Sequence, residues 1–599
     1  MKTIKKILFL LSTKERKNLL ILMGMLMITG FLDMLGVASI LPFMGVLSNP
    51  EIVETNVYLN FLFKSSGLIG IENTKHFLFA LGVLVFILLV VSLGFKVFTG
   101  YVKSHFVQMR NYSISKKLVE GYLHQPYSWF LNRNSAHISK TILSEVAVVV
   151  NKSLAPLVEL MAQCSIVFMM LALLIIVNPK LTFVVGATLI LAYLIIYLFN
   201  RNILKRIGVD RLEANKLRFD TLSEAFGAAK EIKVGAIEQF YIKRFTLPAE
   251  LFSRLMARSQ VIRLLPRFIL EAIAFGGMLL VVLYLMKQSV SFVDVLPIIV
   301  LYAYAGYRLM PALQSIFANF TSLRFSNPAL DDLYKDIKNL KSYNLNDSQN
   351  LLEFKKSIKL NQVHYNYPNS SKMVLKNIDI DIPAKSNVAF VGAAGSGKTT
   401  LVDIIIGLLD PQKGTLEVDD KLINKDNSRA WQRSIGYVPQ NTFLADNTIL
   451  ANIAFGIKEK DINHEAVKFA AQIASLHDFI VSELPMQYQT NVGERGVKLS
   501  GGQIQRIGIA RAFYHNPQVI VLDEATNALD RQTEKMIMDA IEKNKKNVTI
   551  IMIAHQLNTV KNCDTIFLLE KGELKAKGSY EELSKFSDYF SQDTGTDKK

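Results

Sequence analysis

The sequence predicts an α-helical domain that crosses a membrane six times, followed by an α/β domain built around a phosphate-binding loop (P-loop). Three observations predict it. Half of the 599 residues are apolar and the mean hydropathy is +0.25, which points to a membrane part rather than to several soluble cores. Stretches of about 20 largely apolar residues, the length of a spanning helix, are offered by the first 325 residues. The second half instead carries a strand-like apolar run that feeds a glycine-rich loop and then a helical pattern.

Charge separates the same two parts. Residues 1–340 carry 36 Lys+Arg and 20 Asp+Glu, whereas residues 341–599 carry 32 and 31. A nucleic-acid-binding chain usually places its basic excess on a soluble module, so membrane topology is the better explanation and no nucleic-acid partner is expected. Disordered and collagen-like classes are excluded by composition. The two cysteines, Cys164 and Cys563, make neither a disulfide framework nor a metal-ligand spacing.

Six spans are expected near Leu19–Leu47, His76–Tyr101, Val146–Val177, Leu181–Phe199, Ile262–Met286 and Phe292–Phe320, within a membrane domain of residues 19–325. The first runs well beyond a short apolar core and has no small-residue cleavage pattern, so it is not a cleaved signal peptide. Orientation follows from Lys and Arg: residues 1–18 hold six, 101–145 six and 200–267 fourteen, against four in the segments 48–76, 178–182 and 287–291 together. The N-terminus and both long loops are therefore expected in the cytoplasm of a multi-pass cytoplasmic-membrane protein. The loops read as helical extensions that reverse around Pro126 to Asn134 and Leu217 to Gly227, where they could touch the soluble half. Residues 48–75 read equally as a short amphipathic helix on the outer interface or as an ordinary connector.

A polar linker is expected over 326–356, then the second domain over 357–590 and a polar tail over 591–599. The apolar run Ser386 to Val391 leads into Gly392-Ala-Ala-Gly395-Ser396-Gly397-Lys398-Thr399, with a helix from Thr400. This is a complete P-loop: its glycines let backbone N–H groups wrap phosphates, Lys398 reaches the β and γ phosphates, and the Thr399 hydroxyl ligates Mg²⁺. A second apolar strand, Val519 to Leu522, ends in Asp523-Glu524 at its carboxyl end, where ligands bind in doubly wound sheets. Asp523 would hold Mg²⁺ and Glu524 would polarise an attacking water. Ser500-Gly501-Gly502-Gln503 at a helix start offers a second phosphate-binding surface, which makes sense if two subunits share one ATP.

In this order, Gly392 to Thr399, Gln440, Leu499 to Gln503, Asp523-Glu524, Asn527-Ala-Leu-Asp530 and His555 resemble the nucleotide-binding domain of ATP-binding cassette (ABC) transporters. The resemblance implies ATP and Mg²⁺ as cofactors. It implies that Tyr367 stacks on adenine, that Gly392, Gly395, Ser396, Gly397, Lys398, Thr399 and Thr400 hold phosphates, and that Gln440 joins Thr399 and Asp523 at the metal. Ser500, Gly501, Gly502 and Gln503 would contact the γ-phosphate of the ATP held by a partner, Asp530 would be the D-loop acid, and His555 would be the switch histidine that bonds the γ-phosphate. Three departures are small: Asn527 replaces the usual serine, Thr399 keeps the hydroxyl of serine, and Gln556 follows His555 where arginine is usual.

A six-span half followed by one cassette on the same chain resembles an exporter half-transporter, and Thr490 to Gly496 is similar to the exporter-specific loop that contacts the membrane domain. With both halves of the ATP site intact, a homodimer with a second copy is the simplest assembly. Ionisable residues inside spans are costly and count as functional candidates: Asp33, Lys96, Arg263, Arg267, Glu271 and Arg308. The basic set suits an anionic headgroup; alternatively, Lys96 and Arg263 snorkel and Arg267 pairs with Glu271. Leu41-Pro42-Phe43, Leu265-Pro266-Arg267 to Glu271 and Tyr307-Arg308-Leu-Met-Pro311 resemble the flippases of lipid-linked oligosaccharides. That implies a polyprenyl-pyrophosphate glycan held by Arg267, Arg308 and Lys96, and an external helix within 51–63. Gln314 and Ser315 stand where a further arginine is expected. Rival readings are an exporter of a lipid A-type glycolipid, lipid, drug or peptide, and an ATP-gated channel or regulator.

Overall fold

The computed structural model describes residues 2–66, 73–177, 179–287, 292–340, 351–368, 370, 372–525, 529–543, 548–554 and 557–586. Two compact units emerge: residues 1–125 with 133–342, and residues 126–132 with 343–599.

The first unit is all helix. It begins with α1 (Lys2–Leu10), α2 (Thr13–Ala38), α3 (Ile40–Ser48), α4 (Ile52–Thr55), α5 (Val57–Ser66) and the 50-residue α6 (Thr74–Leu123). After α7 (Tyr127–Phe130), which belongs to the second unit, follow α8 (Ser135–Lys140), α9 (Val146–Val149) and α10 (Ala155–Val177), joined by π-helical turns at Thr141–Glu145 and Val150–Leu154. The long helices α11 (Pro179–Gly227), α13 (Glu238–Lys287) and α14 (Phe292–Asn339) complete it, with the short α12 (Ala229–Gly235) between the first two. Among the described residues, three helical stretches are long and apolar enough to cross a membrane: Thr13–Ser48, Thr74–Leu123 and Ser135–Val177. The other three expected spans fall in α11, α13 and α14.

Three details differ from expectation. The first span is broken at Ser39. Pro42 has no N–H, and its ring would collide with the Ala38 carbonyl in a continuous helix; Ser39 Oγ instead donates to Gly36 O at 2.9 Å. The linker expected from residue 326 begins later, because α14 continues to Asn339. Phe325, Ala329, Leu330, Leu333 and Ile337 are buried along it, a helical stripe that the polar residues between them conceal. One of those, Asp336, accepts from Tyr122 Oη at 3.0 Å and from Arg133 Nη1 at 3.1 Å. Third, residues 51–66 form two short helices, with Val57, Tyr58 and Phe61 exposed.

The second unit holds two sheets. β1 (Ser357–Tyr365), β2 (Leu375–Pro383), β4 (Lys413–Val418) and β5 (Lys421–Leu422) form an antiparallel sheet in the order β2-β1-β4-β5. β3 (Asn387–Val391), β6 (Ile435–Val438), β7 (Val519–Asp523), β8 (Thr549–Ile553), β9 (Thr565–Glu570) and β10 (Glu573–Gly578) form the second, in the order β10-β9-β3-β8-β7-β6, parallel except for β9-β10. Side chains alternate across a strand, and here each face feeds a separate core. Val388 and Phe390 pack with α15 (Lys398–Ile405), with the antiparallel sheet and with Trp431 of α16 (Ser428–Gln432). Ala389 and Val391 pack with α17 (Ile449–Ile453), α18 (His464–Ile473), α19 (His477–Glu483), α20 (Gly501–Tyr514) and α21 (Arg531–Lys543). All five residues of β3, β7 and β8 are buried, as expected of strands covered on both faces. The last described element is α22 (Tyr580–Phe586).

Candidate functional site

The loop between β3 and α15 is built on glycines in backbone conformations that other residues rarely adopt. Gly392, Gly395 and Gly397 have φ of 143°, 75° and 104°, in the left-handed region that side chains avoid. A Cβ on Gly392 would lie 2.1 Å from Leu569 O, and one on Gly397 2.9 Å from Leu375 Cδ2. Lys398, the first residue of α15, is buried and donates to Gly392 O at 2.8 Å and Ala393 O at 3.1 Å. Burial pushes its amine down, while the charges of Glu524 and Asp523 push it up. Those carboxylates therefore lie close enough to be felt by the lysine. Ser396 Oγ is buried with no hydrogen-bond partner among the described residues. A buried hydroxyl of this kind carries a cost that a phosphate oxygen would remove, so the loop fits a nucleotide polyphosphate.

β7 delivers the acidic pair. Asp523 is buried and accepts from Tyr437 Oη at 3.3 Å. Glu524 follows the strand at φ 50°, and three bonds fix it: its N–H donates to Ile553 O at 3.2 Å, its carbonyl accepts from Gln505 Nε2 at 3.2 Å, and its carboxylate accepts from Gln440 Nε2 at 2.7 Å. Strain of this sort persists only where the surroundings over-determine it. Thr399 is exposed, one residue after Lys398. Its hydroxyl, the Gln440 amide and the Asp523 carboxylate are hard oxygen donors that suit Mg²⁺.

Tyr367 Oη shares a hydrogen with Thr400 Oγ1 at 2.8 Å, tying the aromatic residue to α15. Ser500 caps α20: its Oγ accepts from Gln503 N at 3.2 Å, and the Gln503 side chain accepts from Ser500 N at 2.8 Å. The capping pair fixes the helix start while Ser500 and Gly501 stay exposed. Asp530 accepts from the N–H groups of Gln532 and Thr533 at 3.1 and 2.9 Å, and these bonds hold its carboxyl below the usual range. His555 and Asn527 lie outside the described residues. Two residues were missed by sequence reasoning. Asp403, on α15 one turn after Thr399, is buried, and burial followed by the charge of Asp523 pushes its carboxyl up to about 6. An acid amid Leu401, Val402 and Ile404 to Ile406 was the available signal. Tyr127 of α7 is the other: burial raises its hydroxyl, with the Asp403 charge adding to it.

Residues 375–527 match the family described as ABC transporter, and residues 16–309 match the ABC transporter transmembrane region. The chain belongs to the ABC transporter family. It is 28% identical to an ATP-dependent lipid A-core flippase of Cupriavidus pinatubonensis over 81% of this chain and 82% of that one. With ABC transporter B family member 22 of Arabidopsis thaliana the identity is 42%, over 38% of this chain and 19% of the relative. With multidrug resistance protein 1 of Entamoeba histolytica it is 36%, over 46% and 22%. Matches of this second kind thus span about a fifth of the relative's length. A bacterial Atm1-family ABC exporter solved with ATP bound shares the fold at a TM-score of 0.77 and 22% identity, over 98% of this ABC chain and 99% of the other.

In the helical unit, the basic candidates do not stand apart from acids. Lys96 Nζ donates to Asp33 Oδ2 at 3.1 Å, and Arg308 Nη1 lies 3.8 Å from Asp33 Oδ1. Arg263 is half-buried on α13. Arg267 is on the same helix, its side chain outside the described residues.

Proposed function

We propose that two copies of this chain form an ATP-driven exporter that moves an amphipathic anionic lipid from the inner to the outer leaflet, with a polyprenyl-pyrophosphate-linked oligosaccharide as substrate. The observation that carries the ATPase part is the convergence of Lys398, Gln440, Asp523 and Glu524 beyond the carboxyl ends of β3, β6 and β7. Bound MgATP supplies the γ-phosphoryl group and most of the charge neutralisation. The chain's residues position it: the loop N–H groups and Lys398 hold phosphate oxygens, Thr399, Gln440 and Asp523 are the metal donors, and Glu524 orients and polarises a water in line with the γ-phosphate. The N-terminus of α20 serves the ATP of the partner chain, so closure of the two cassettes requires ATP between them. Binding energy of that closure shifts the helical units toward an outward-facing arrangement, and hydrolysis releases it.

The substrate reading is supported by Lys96 and Arg308 inside the helical unit, where ionisable groups are costly and mark ligand paths, and where two bases share the single acid Asp33. A second reading, a lipid A-type phosphoglycolipid, is favoured by the similarity to the lipid A-core flippase over most of both chains. Both substrates present phosphate to the same bases. The discriminating experiment measures ATPase stimulation and flipping in proteoliposomes that contain the polyprenyl-pyrophosphate glycan, lipid A or a neutral lipid. Arg267→Ala and Arg308→Ala are expected to lose stimulation by the preferred anionic lipid; unchanged activity in both variants would remove the anionic-substrate reading.

A further inference from the structure

Asp33 lies near the C-terminal end of α2, midway along the expected span Leu19–Leu47, with its side chain 1% exposed. A lone carboxylate so deep in a membrane helix would be costly, and three groups from two other helices answer it. Ser92 Oγ of α6 donates to Oδ1 at 2.9 Å, Lys96 Nζ of α6 donates to Oδ2 at 3.1 Å, and Arg308 Nη1 of α14 stands 3.8 Å from Oδ1. The arrangement is graded. The carboxylate is sealed, the Arg308 side chain is 18% exposed and the Lys96 side chain 42%, so both bases are more accessible than the acid. At 3.8 Å Arg308 attracts Asp33 without a hydrogen bond. Its Nη2 donates to Tyr304 Oη at 3.2 Å, and its Nε has no hydrogen-bond partner among the described residues. One acid against two bases leaves a formal charge of +1 at the cluster.

We propose that Asp33 is a resident counter-ion for the substrate's phosphates: Lys96 and Arg308 pair with it when no substrate is bound and exchange it for the substrate's anionic group. This rests on the reading of the substrate as an anionic lipid and adds to it a threshold for charge. A carboxylate already held by Ser92 competes well against the single charge of an ordinary phosphodiester lipid. A pyrophosphate brings more charge and more acceptor oxygens, enough for a forked guanidinium and an ammonium together. Asp33 thereby rejects the abundant lipids of the bilayer by competition, a repulsive element built into the site. Because Asp33, Lys96 and Arg308 belong to three helices, the exchange also loosens α2 from α6 and α14 at the moment the substrate is taken.

The test uses the full chain in proteoliposomes and reads the half-maximal concentration for ATPase stimulation by polyprenyl pyrophosphate, polyprenyl monophosphate and inorganic pyrophosphate. Asp33→Asn is expected to lower that concentration about tenfold for the pyrophosphate lipid and to admit the monophosphate, because the competitor is gone. Lys96→Gln is expected to raise it about tenfold, and Asp33→Asn/Lys96→Gln to return within about threefold of wild type, since the net charge is restored. The double variant also serves where Asp33→Asn alone leaves Lys96 too poorly matched for assembly. Wild type stimulated by the lipid, with Asp33→Asn unmoved or the double variant no better than Lys96→Gln, overturns the role of Asp33 alone. Stimulation by inorganic pyrophosphate only, with the same pattern among variants, keeps the exchange and overturns the lipid reading; wild type indifferent to every anion overturns both.

Discussion

At the scale of single residues, the cassette concentrates its unusual features on one carboxylate. Glu524 adopts a left-handed backbone and is held by Ile553, Gln505 and Gln440. A residue positioned this firmly orients a water without reorganising at the moment of reaction. Glu524→Gln keeps the shape and removes the charge, so it is expected to retain ATP binding while turnover falls by about 100-fold or more. Nucleotide binding and phosphate release check it, and normal hydrolysis would sink the assignment. Asp403 makes a second prediction. Its carboxyl is raised from 3.8 to about 6 by burial and then by Asp523, so the fold favours its protonated form. The contribution is favourable below about pH 4 relative to higher pH, is lost as pH rises through 4 to 6, and stays lost above, a change on the order of 3 kcal/mol at most. In Mg²⁺-free, nucleotide-free buffer, Asp403→Asn is expected to melt with wild type near pH 4 and above it at pH 7. Equal Tm values at both pH values would refute the buried-acid account; added Mg²⁺ beside Asp523 draws the Asp403 carboxyl back down and narrows the gap.

At the scale of elements, the helical unit is joined by buried polar pairs as well as by apolar packing. Glu145 ends the π-helical turn Thr141–Glu145 and accepts from Arg211 Nη2 and Asn215 Nδ2 of α11, both at 2.7 Å. Side chains of Arg211 and Glu145 are only 2% and 5% exposed. Removing one partner of such a pair strands the other, at a cost of about 3–5 kcal/mol. Glu145→Ala is therefore expected to lower the Tm of the purified chain sharply. Glu145→Leu/Arg211→Met, which strands neither charge, is expected to recover most of that loss; a double variant as unstable as Glu145→Ala would show that the packing, not the charge, matters. Pairings like this define what the sequence could not reveal. The P-loop, the acidic pair after β7 and the capped start of α20 were legible because each motif fixes its own chain neighbours within a few residues. Asp33 and Lys96 are 63 residues apart, and no local pattern says that they meet. The break at Ser39 and the tail of α14 to Asn339 are obscured for a different reason: Pro42 sits inside an otherwise continuous apolar run, and the acids at 331, 332 and 336 hide a buried stripe.

At the scale of the whole molecule, the decisive question is whether one chain suffices. Lys398 and Ser500 belong to the same cassette and present different surfaces: a buried amine within a glycine loop, and an exposed, capped helix start. If each ATP takes the loop of one chain and the helix start of its partner, a chain with Lys398→Ala has no working site as a homodimer, and neither does one with Gly502→Asp. Mixed dimers differ. The site made by the loop of the Gly502→Asp chain and the helix start of the Lys398→Ala chain is intact, while both lesions fall together in the other. Random pairing makes half of the dimers mixed, so co-expression is expected to restore up to about a quarter of wild-type ATPase if the sites act independently. Two separately dead variants whose mixture is no more active than their sum would argue for a different sharing of the site. Recovery of activity on mixing would establish that the helix start at Ser500 works only for the neighbouring chain.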